Sequence, residues 1–254
     1  MSIQTVKPRN WRLNTLDSTS RGLVHLWGMN EAAGLFLLDS SPNTAKLPFS
    51  ATASERPTWV ASDIGFVLNF DGVSEFISVP DNTISAPGDR DFAWEFVWRT
   101  TATSSSSVLG QNTAQLNWMG ISGEKTAFSI DGAFLQEDYP PSTNDGLWHH
   151  VVGQRRLSAT ELYVDGVLKK TGAAGSSLTA EDGFRIGDLT VAGYEWEGGI
   201  AKVAIYNRGL SPYEIRRLSI DPWATVRPQR NYIYGGVTAG GAPPPIFTQR
   251  AIFY

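Results

Sequence analysis

An all-β sandwich or barrel is the fold class this sequence predicts, on three observations. Short segments alternating apolar and polar residues recur along the chain, separated by turn residues. Asp-Gly pairs fall at 71–72, 131–132, 145–146, 165–166 and 182–183. Asp-Gly is a strong hairpin signal, because both central residues of a type I′ turn need positive φ. Helix-start chemistry, by contrast, is well formed at one short segment near the end.

The elements follow in order. Residues 23–29, 66–70, 75–79 and 92–100 read as strands. Phe128-Ser129-Ile130, Asp131-Gly132 and Ala133-Phe134 read as a hairpin. Residues 148–156 read as a strand, and Leu162-Tyr163-Val164, Asp165-Gly166 and Val167-Leu168 form the clearest hairpin of all. Residues 184–187 and 199–206 complete the strand set. The spacing then predicts one helix over 212–219. Ser211 caps it, Pro212 sits at its first position, and Glu214 completes a capping box. Ile215 and Leu218 share a face, and Asp221-Pro222 ends the helix because the residue before proline avoids helical backbone. Past Pro222 the character changes. The run 235–245, Gly-Gly-Val-Thr-Ala-Gly-Gly-Ala-Pro-Pro-Pro, makes neither a core strand nor a helix, and apolar clusters flank it on both sides. The expected organisation is an N-terminal arm (1–21), a sandwich (22–221) and an extended C-terminal arm (222–254).

Composition narrows the function classes. Of 254 residues, 41% are hydrophobic, enough for a packed core, and 18% are charged, against about 25% in typical soluble domains. Disordered, coiled-coil and strongly charged nucleic-acid-binding readings are thereby excluded. Residues 1–21 carry a charge of +3 and residues 222–254 another +3, so with a total of −4 the segment between them is −10. An acidic body with mildly basic ends suits arms docking on an acidic protein surface better than a grip on phosphates. Cysteine is absent, residues 1–11 lack the apolar core of a secretory signal, and no run approaches the ~18–20 apolar residues of a membrane-spanning helix. A soluble protein made in a reducing cytosol is expected.

Gly22-Leu23-Val24, Trp27, Asn30-Glu31, Gly34 and Asp39-Ser40-Ser41 resemble the opening of the laminin-G-like, concanavalin-A-like lectin/glucanase family. Phe70-Asp71-Gly72 with Phe76 and Val79-Pro80 resembles its second block. Trp148-His149-His150-Val151 with Leu162-Tyr163-Val164-Asp165-Gly166 resembles its central hairpin. Arg185-Ile186-Gly187, Gly199-Ile200, Ile205-Tyr206-Asn207-Arg208 and Leu210-Ser211 resemble its closing blocks. The resemblance covers about 22–220 and implies a jelly-roll β-sandwich of two antiparallel sheets. Asp221-Pro222-Trp223 with Arg227-Pro228, and Trp11-Arg12-Leu13-Asn14 before Gly22, resemble the ends of bacteriophage-encoded members.

Candidate chemistry is sparse. The family's glucanases use a Glu-x-Asp-x-Glu strand, and a retaining site needs two carboxyls ~5–5.5 Å apart. Here Glu195-Trp196-Glu197 places two acids on one face without the middle Asp. His149-His150 point to opposite strand faces, which disfavours a shared metal and predicts one ring inside and one outside. Calcium is the candidate ion, with Glu31, Asp39 and Asn43 as possible ligands on the loop 39–43. The alternative there is a turn closed by the side chain of Asp39. The family commonly has Asp after Gly199-Ile200, where this chain has Ala201, and Pro42 replaces a glycine-like turn residue. Among nine tryptophans, Trp27, Trp94, Trp98 and Trp148 read as core. Trp59, Trp118 and Trp196 fall near predicted loops and are the candidate glycan contacts.

The expected function is a non-catalytic virion protein of a bacteriophage, either a capsid decoration or a fibre-type adhesin. It would be made in the host cytoplasm and displayed on the virion surface. Its expected partners are other virion proteins, such as the major capsid protein or a second copy, and host-surface glycans. Arg227, Arg230, Tyr232, Tyr234, Phe247, Phe253 and Tyr254 are the expected docking residues of the C-terminal arm. The alternatives are a stand-alone carbohydrate-binding lectin module and a glycoside hydrolase. No cofactor beyond calcium is expected.

Overall fold

The computed structural model describes residues 5–8, 11–81, 83–84, 88–111, 117–138, 143–173, 183–189 and 193–228. Two antiparallel sheets carry the fold, as the alternation predicts. The larger runs β15 (Val167–Ala173), β14 (Ala159–Val164), β13 (His149–Arg156), β8 (Phe92–Arg99), β17 (Glu197–Tyr206), β6 (Gly65–Asp71), β5 (Thr58–Ser62). Strand β2 (Leu23–Trp27) pairs with the second half of β17, beyond the stretch that β6 occupies. The smaller sheet runs β12 (Ala133–Gln136), β11 (Lys125–Ile130), β10 (Asn117–Ser122), β9 (Ser106–Gln111), β16 (Phe184–Ile186), β7 (Ile77–Ser78). A short pair, β3 (Phe36–Leu38) with β4 (Lys46–Pro48), bridges to Trp27 through Asp39.

The two-residue period sorts the side chains. Trp94, Phe96 and Trp98 of β8 point between the sheets and meet Met119, Phe128 and Phe184 of the smaller one. Gly153 is what lets the sheets approach there, since a Cβ would lie 2.4 Å from Met119 Cε and 2.7 Å from the Phe128 ring. Trp27, Trp94, Trp98 and Trp148 are all buried, as the strand reading requires. Both hairpin turns at 131–132 and 165–166 have positive φ at Asp and Gly alike.

The large sheet also buries its other face. Ala93, Val97, Val152, Tyr163, Ala204 and Tyr206 pack there against Ile215, Leu218, Trp223 and Val226. The covering layer begins with helix α1 (Pro212–Ile220), which carries the predicted capping box between Ser211 and Glu214. It ends with β18 (Val226–Pro228), antiparallel to β1 (Trp11–Leu13).

This corrects the reading of 1–21 and of the start of 222–254 as outward arms. The described parts of 1–21 and residues 222–228 fold back on the sandwich, because apolar outer-face residues of the large sheet need a cover. Trp11 stacks on Trp223 and fills the space left by Gly28, where a Cβ would lie 2.0 Å from the ring. Lys7 is buried, and its ammonium donates to the carbonyls of Phe66 (2.5 Å), Gly28 (2.6 Å), Ala201 (3.1 Å) and Met29 (3.2 Å). It also lies 5.0 Å from the Trp223 ring centroid. Arg227 sits in β18 opposite Arg12, so it is part of this closure rather than a free anchor. Arg230, Tyr232, Tyr234, Phe247, Phe253 and Tyr254 lie outside the described residues.

The covered outer face also overturns the inside–outside reading of His149 and His150, since both are buried. His150 enters a charged cluster in the second core. Its Nε2 lies 3.1 Å from Glu95 Oε1, which accepts from Lys202 Nζ at 2.5 Å, while Tyr206 OH donates to Glu95 Oε2 at 2.8 Å. Lys202 also donates to Pro222 O at 2.7 Å, tying the cluster to the closing segment. Burial by itself would raise the Glu95 pKa, but the neighbouring Lys202 charge and the His150 contact hold it at about 2.

His149 lies between two carboxylates, Asp165 Oδ2 and Asp145 Oδ1, each at 2.9 Å. Burial alone would lower its pKa, yet the two acids hold it above its ordinary value. Both acids are held below theirs by His149, against their own burial. The raised histidine stabilises the fold fully below its unfolded value of 6.5 and loses that contribution as pH rises through the higher folded value. The depressed acids contribute above 3.8 and lose it as pH falls through their lower folded values. The trio is therefore most stabilising between those limits. Asp165→Asn keeps a turn-compatible side chain and an acceptor for His150 N–H, but loses the charge. The expected result is a stability deficit that is largest between about pH 4 and 6.5 and shrinks above it. Urea unfolding across a pH series checks this, and a deficit independent of pH would refute the charge argument.

Candidate functional site

The outer face of the six-stranded sheet is where the described structure gathers aromatic, hydroxyl and guanidinium groups. Its geometry follows from one register row. Ser78 pairs with Arg185, Arg185 with Gly110, Gly110 with Trp118, Trp118 with Ser129, and Ser129 with Phe134. The adjacent row reads Ile77, Ile186, Leu109, Met119, Phe128, Leu135, and every member lies in the core between the sheets. Neighbouring positions on a strand point to opposite faces, so the Ser78–Phe134 row faces outward. From Arg185 to Phe134 it crosses four inter-strand spacings, about 19 Å.

Phe134 is the exposed end of the row, at 51%. Its ring lies 6.3 Å from Trp118, and Tyr194 meets the same indole edge-on at 5.6 Å. Over Gly110, where a Cβ would meet Leu189 at 2.4 Å and Asp188 O at 3.1 Å, the residues that follow β16 cover the middle of the row. At the other end the Arg185 guanidinium lies 3.9 Å from the Phe76 ring centroid and pairs with Asp188 at 2.7 Å. Gln136, two residues past Phe134, is half-buried and donates to Ser122 O at 2.5 Å. Aromatic faces beside hydroxyl, amide and guanidinium groups can present a ring surface and directed hydrogen bonds to one ligand.

The three predicted glycan contacts separate. Trp196 is fully buried: it immediately precedes β17, and its ring packs 5.5 Å from Trp98 between the sheets. Trp118 lies on the outward row but is itself 4% exposed, roofed by Phe134 and Tyr194. Trp59 is half-buried at the edge of the large sheet, stacked on Phe49 with its indole N–H donating to Gly34 O at 3.0 Å. Sequence reasoning missed Phe134 and Tyr194. The signal for Phe134 was present: the 131–132 turn fixes it opposite Ser129, on the face away from Phe128 and Ile130.

The calcium candidates do not converge as a ligand set. Asp39 Oδ1 accepts from the backbone N–H of Leu26 (2.9 Å) and Ser41 (2.7 Å), and Oδ2 takes His25 Nδ1 at 2.6 Å. The side chain thus closes its own turn. Asn43 uses its amide to donate to Val24 O, and Glu31 Oε1 accepts Leu38 N–H. The residues present do not fit an ion, and no cluster of three or more His, Asp or Glu side chains suited to a metal occurs among the described residues.

Glu195 and Glu197 flank Trp196, whose ring is buried in the core. Glu195 Oε2 accepts Gly193 N–H at 2.9 Å, while Glu197 is exposed and pairs in register with Asp71. The position two residues on is Gly199, so no third acid extends the pair.

A family model described as the concanavalin A-like lectin/glucanases superfamily matches residues 71–216. No curated protein matches the chain in a sequence search. Among solved structures, domain 4 of an extracellular arabinanase from Geobacillus stearothermophilus, in complex with arabinotriose, is 17% identical with a TM-score of 0.60; the match covers 78% of this chain and 98% of that one. The binding domain of Paraclostridial Mosquitocidal Protein 1 is 14% identical with a TM-score of 0.64, covering 80% of this chain and 52% of that one. Trypanosoma rangeli sialidase in complex with sialic acid is 17% identical with a TM-score of 0.58, covering 79% of this chain and 33% of that one. At these identities the likeness is one of fold. Among the described residues, no helix is long and apolar enough to cross a membrane.

Proposed function

This chain belongs to the concanavalin A-like lectin/glucanases superfamily, and from that premise we propose that it is a non-catalytic glycan-binding module of a bacteriophage particle, displayed on the virion surface. The observation that carries the binding reading is the outward row ending in Phe134. The exposed Phe134 ring with the adjoining Tyr194 at one end of the shelf, and the Arg185 guanidinium on Phe76 about 19 Å away at the other, give two contact points suited to an extended oligosaccharide. The arabinanase domain in complex with arabinotriose and the binding domain of the mosquitocidal protein share this fold and support a sugar-binding role. The phage assignment rests on the resemblance of Pro222-Trp223 with Arg227-Pro228, and of the Trp11 segment, to phage-encoded members. Partners on the particle are the major capsid protein or a second copy. The non-catalytic reading is supported by the Glu195–Glu197 pair, which lacks the middle acid of the glucanase strand.

A glycan array with the full chain, followed by titration of the best ligand, tests it. Phe134→Ala and Arg185→Ala alter side chains that are at least partly exposed, and each is expected to weaken binding about tenfold or more while leaving unfolding near wild type. Binding unchanged in both variants would remove the shelf from the site. Hydrolysis of the bound glycan that is lost in Glu197→Gln would overturn the non-catalytic reading.

A further inference from the structure

We infer that the outer surface of the closing layer, centred on Arg12, Arg227 and the exposed stripe of α1, docks on an acidic surface of another protein. It lies on the opposite side of the sandwich from the Phe134 shelf and stands whether or not a glycan binds there. In the β1–β18 ribbon, Trp11, Leu13 and Val226 pack on the second core. Arg12 and Arg227 alternate with them, so both point outward, and the two are partners in register. Side chains facing each other in such a pair start about 4.5–5.5 Å apart at Cβ, and like charges there destabilise the ribbon. Arg227 Nε is buried without an acceptor, and neither guanidinium has an acid partner among the described residues. Two adjacent guanidinium forks without acceptors match the planar geometry of a carboxylate.

Helix α1 extends the same surface. Its buried side carries Glu214, Ile215 and Leu218. Tyr213, Arg216, Arg217 and Ile220 follow the helical period on the opposite side, with Tyr213 72% and Ile220 66% exposed. Arg217 is held by Asp17, and Leu16 beside that acid is 85% exposed. The turn 14–17 joins helix to ribbon, since Asn14 N–H donates to Thr225 O at 2.8 Å just before β18. Charge selects the occupant. Segments 11–21 and 207–228 carry six arginines and no lysine against three acids, a charge of +3, so with a total of −4 the rest of the chain is −7. A twofold pairing of two copies through this layer would set +3 against +3. An acidic partner is complementary to it. Arginine and tyrosine without lysine is the composition of protein interfaces, whereas lysine serves an anionic lipid surface equally well. Exposed Tyr213, Ile220 and Leu16 among the arginines supply the apolar contacts of such an interface.

The probe is a synthetic helical peptide with leucine at i, i+3, i+4 and i+7 and glutamate between them, titrated into the full chain beside a counterpart with glutamine for glutamate. Wild type is expected to bind the glutamate peptide, more weakly as salt rises, and to bind the glutamine peptide at least about tenfold less tightly. Arg12→Glu is expected to lower affinity for the glutamate peptide about tenfold or more, yet to raise the urea midpoint of unfolding by placing opposite charges in register. A purely structural arginine would not move the two readouts in opposite directions. Tyr213→Ser/Ile220→Ser is expected to weaken binding similarly with the midpoint unchanged. Absence of peptide binding by wild type, or equal binding by both variants, overturns the inference, as does a lower urea midpoint in Arg12→Glu. Binding to phosphatidylglycerol vesicles in preference to the peptide overturns it by assigning the surface to lipid. Self-association in sedimentation that Arg12→Glu abolishes overturns it by assigning the surface to a second copy.

Discussion

Lys202→Met is expected to lower the free energy of unfolding by about 3–5 kcal/mol, the cost of leaving one member of a buried ion pair without its partner. Glu95 and Lys202 are both fully buried on the outer face of the large sheet. Removing the ammonium leaves a carboxylate that keeps only the His150 and Tyr206 contacts, and it also frees Pro222 O. Glu95→Gln tests the same pair from the other side and is expected to cost a similar amount. The double change Glu95→Leu/Lys202→Met removes both charges and should recover most of the loss, because well-packed apolar residues often replace such pairs at little cost. Denaturant unfolding of the three variants decides the point. A single variant within about 1 kcal/mol of wild type would show that the cluster contributes little.

Lys7→Met is expected to cost on the order of 3 kcal/mol, since four carbonyls lose their amine donor in a site closed to water. The change should loosen the N-terminal segment first, opening the chain at Arg12 to trypsin well before global unfolding. A pH signature separates this from simple packing loss. Burial lowers the Lys7 pKa to about 7, with the Glu31 charge opposing, against 10.5 for the free side chain. Between those values the unfolded chain binds the proton and the folded one releases it, so the Lys7 contribution becomes more favourable as pH rises. Lys7→Met should flatten that part of the stability profile. A variant that keeps wild-type trypsin resistance and the same pH slope would rule out the clamp.

Local chemistry made much of the fold legible. The 131–132 and 165–166 turns, the capped helix at Ser211 and the common inward face of Trp94 and Trp98 all depend on residues close in sequence, where propensity and period act directly. The closure by β1 and β18 did not show, because its partners lie at opposite ends of the chain and each strand is three residues long. Basic residues near the ends suggested outward arms, whereas Lys7 is drawn inward by carbonyls from β6, β17 and the turn after β2, which no linear pattern brings together. Trp196 does lie in the loop just before β17, among Gly and Glu, but its ring turns inward onto Trp98 rather than out to solvent. The proposed shelf was half legible: Trp118 was singled out in the sequence, while the exposed ring above it belongs to Phe134.

The closure by the two chain ends also shapes how the protein folds. Thr5 and Trp223, joined by a hydrogen bond from the indole to the Thr5 carbonyl, are 218 residues apart in sequence. Bringing such distant points together carries the largest loop entropy in the described structure, so the strap closes late, after the local hairpins have formed. Until it does, the outer face of the large sheet stays wet, with Val97, Val152 and Ala204 uncovered. The last folding step is therefore the one that removes the stickiest surface, and crowding many nascent copies together favours chains that finish it quickly.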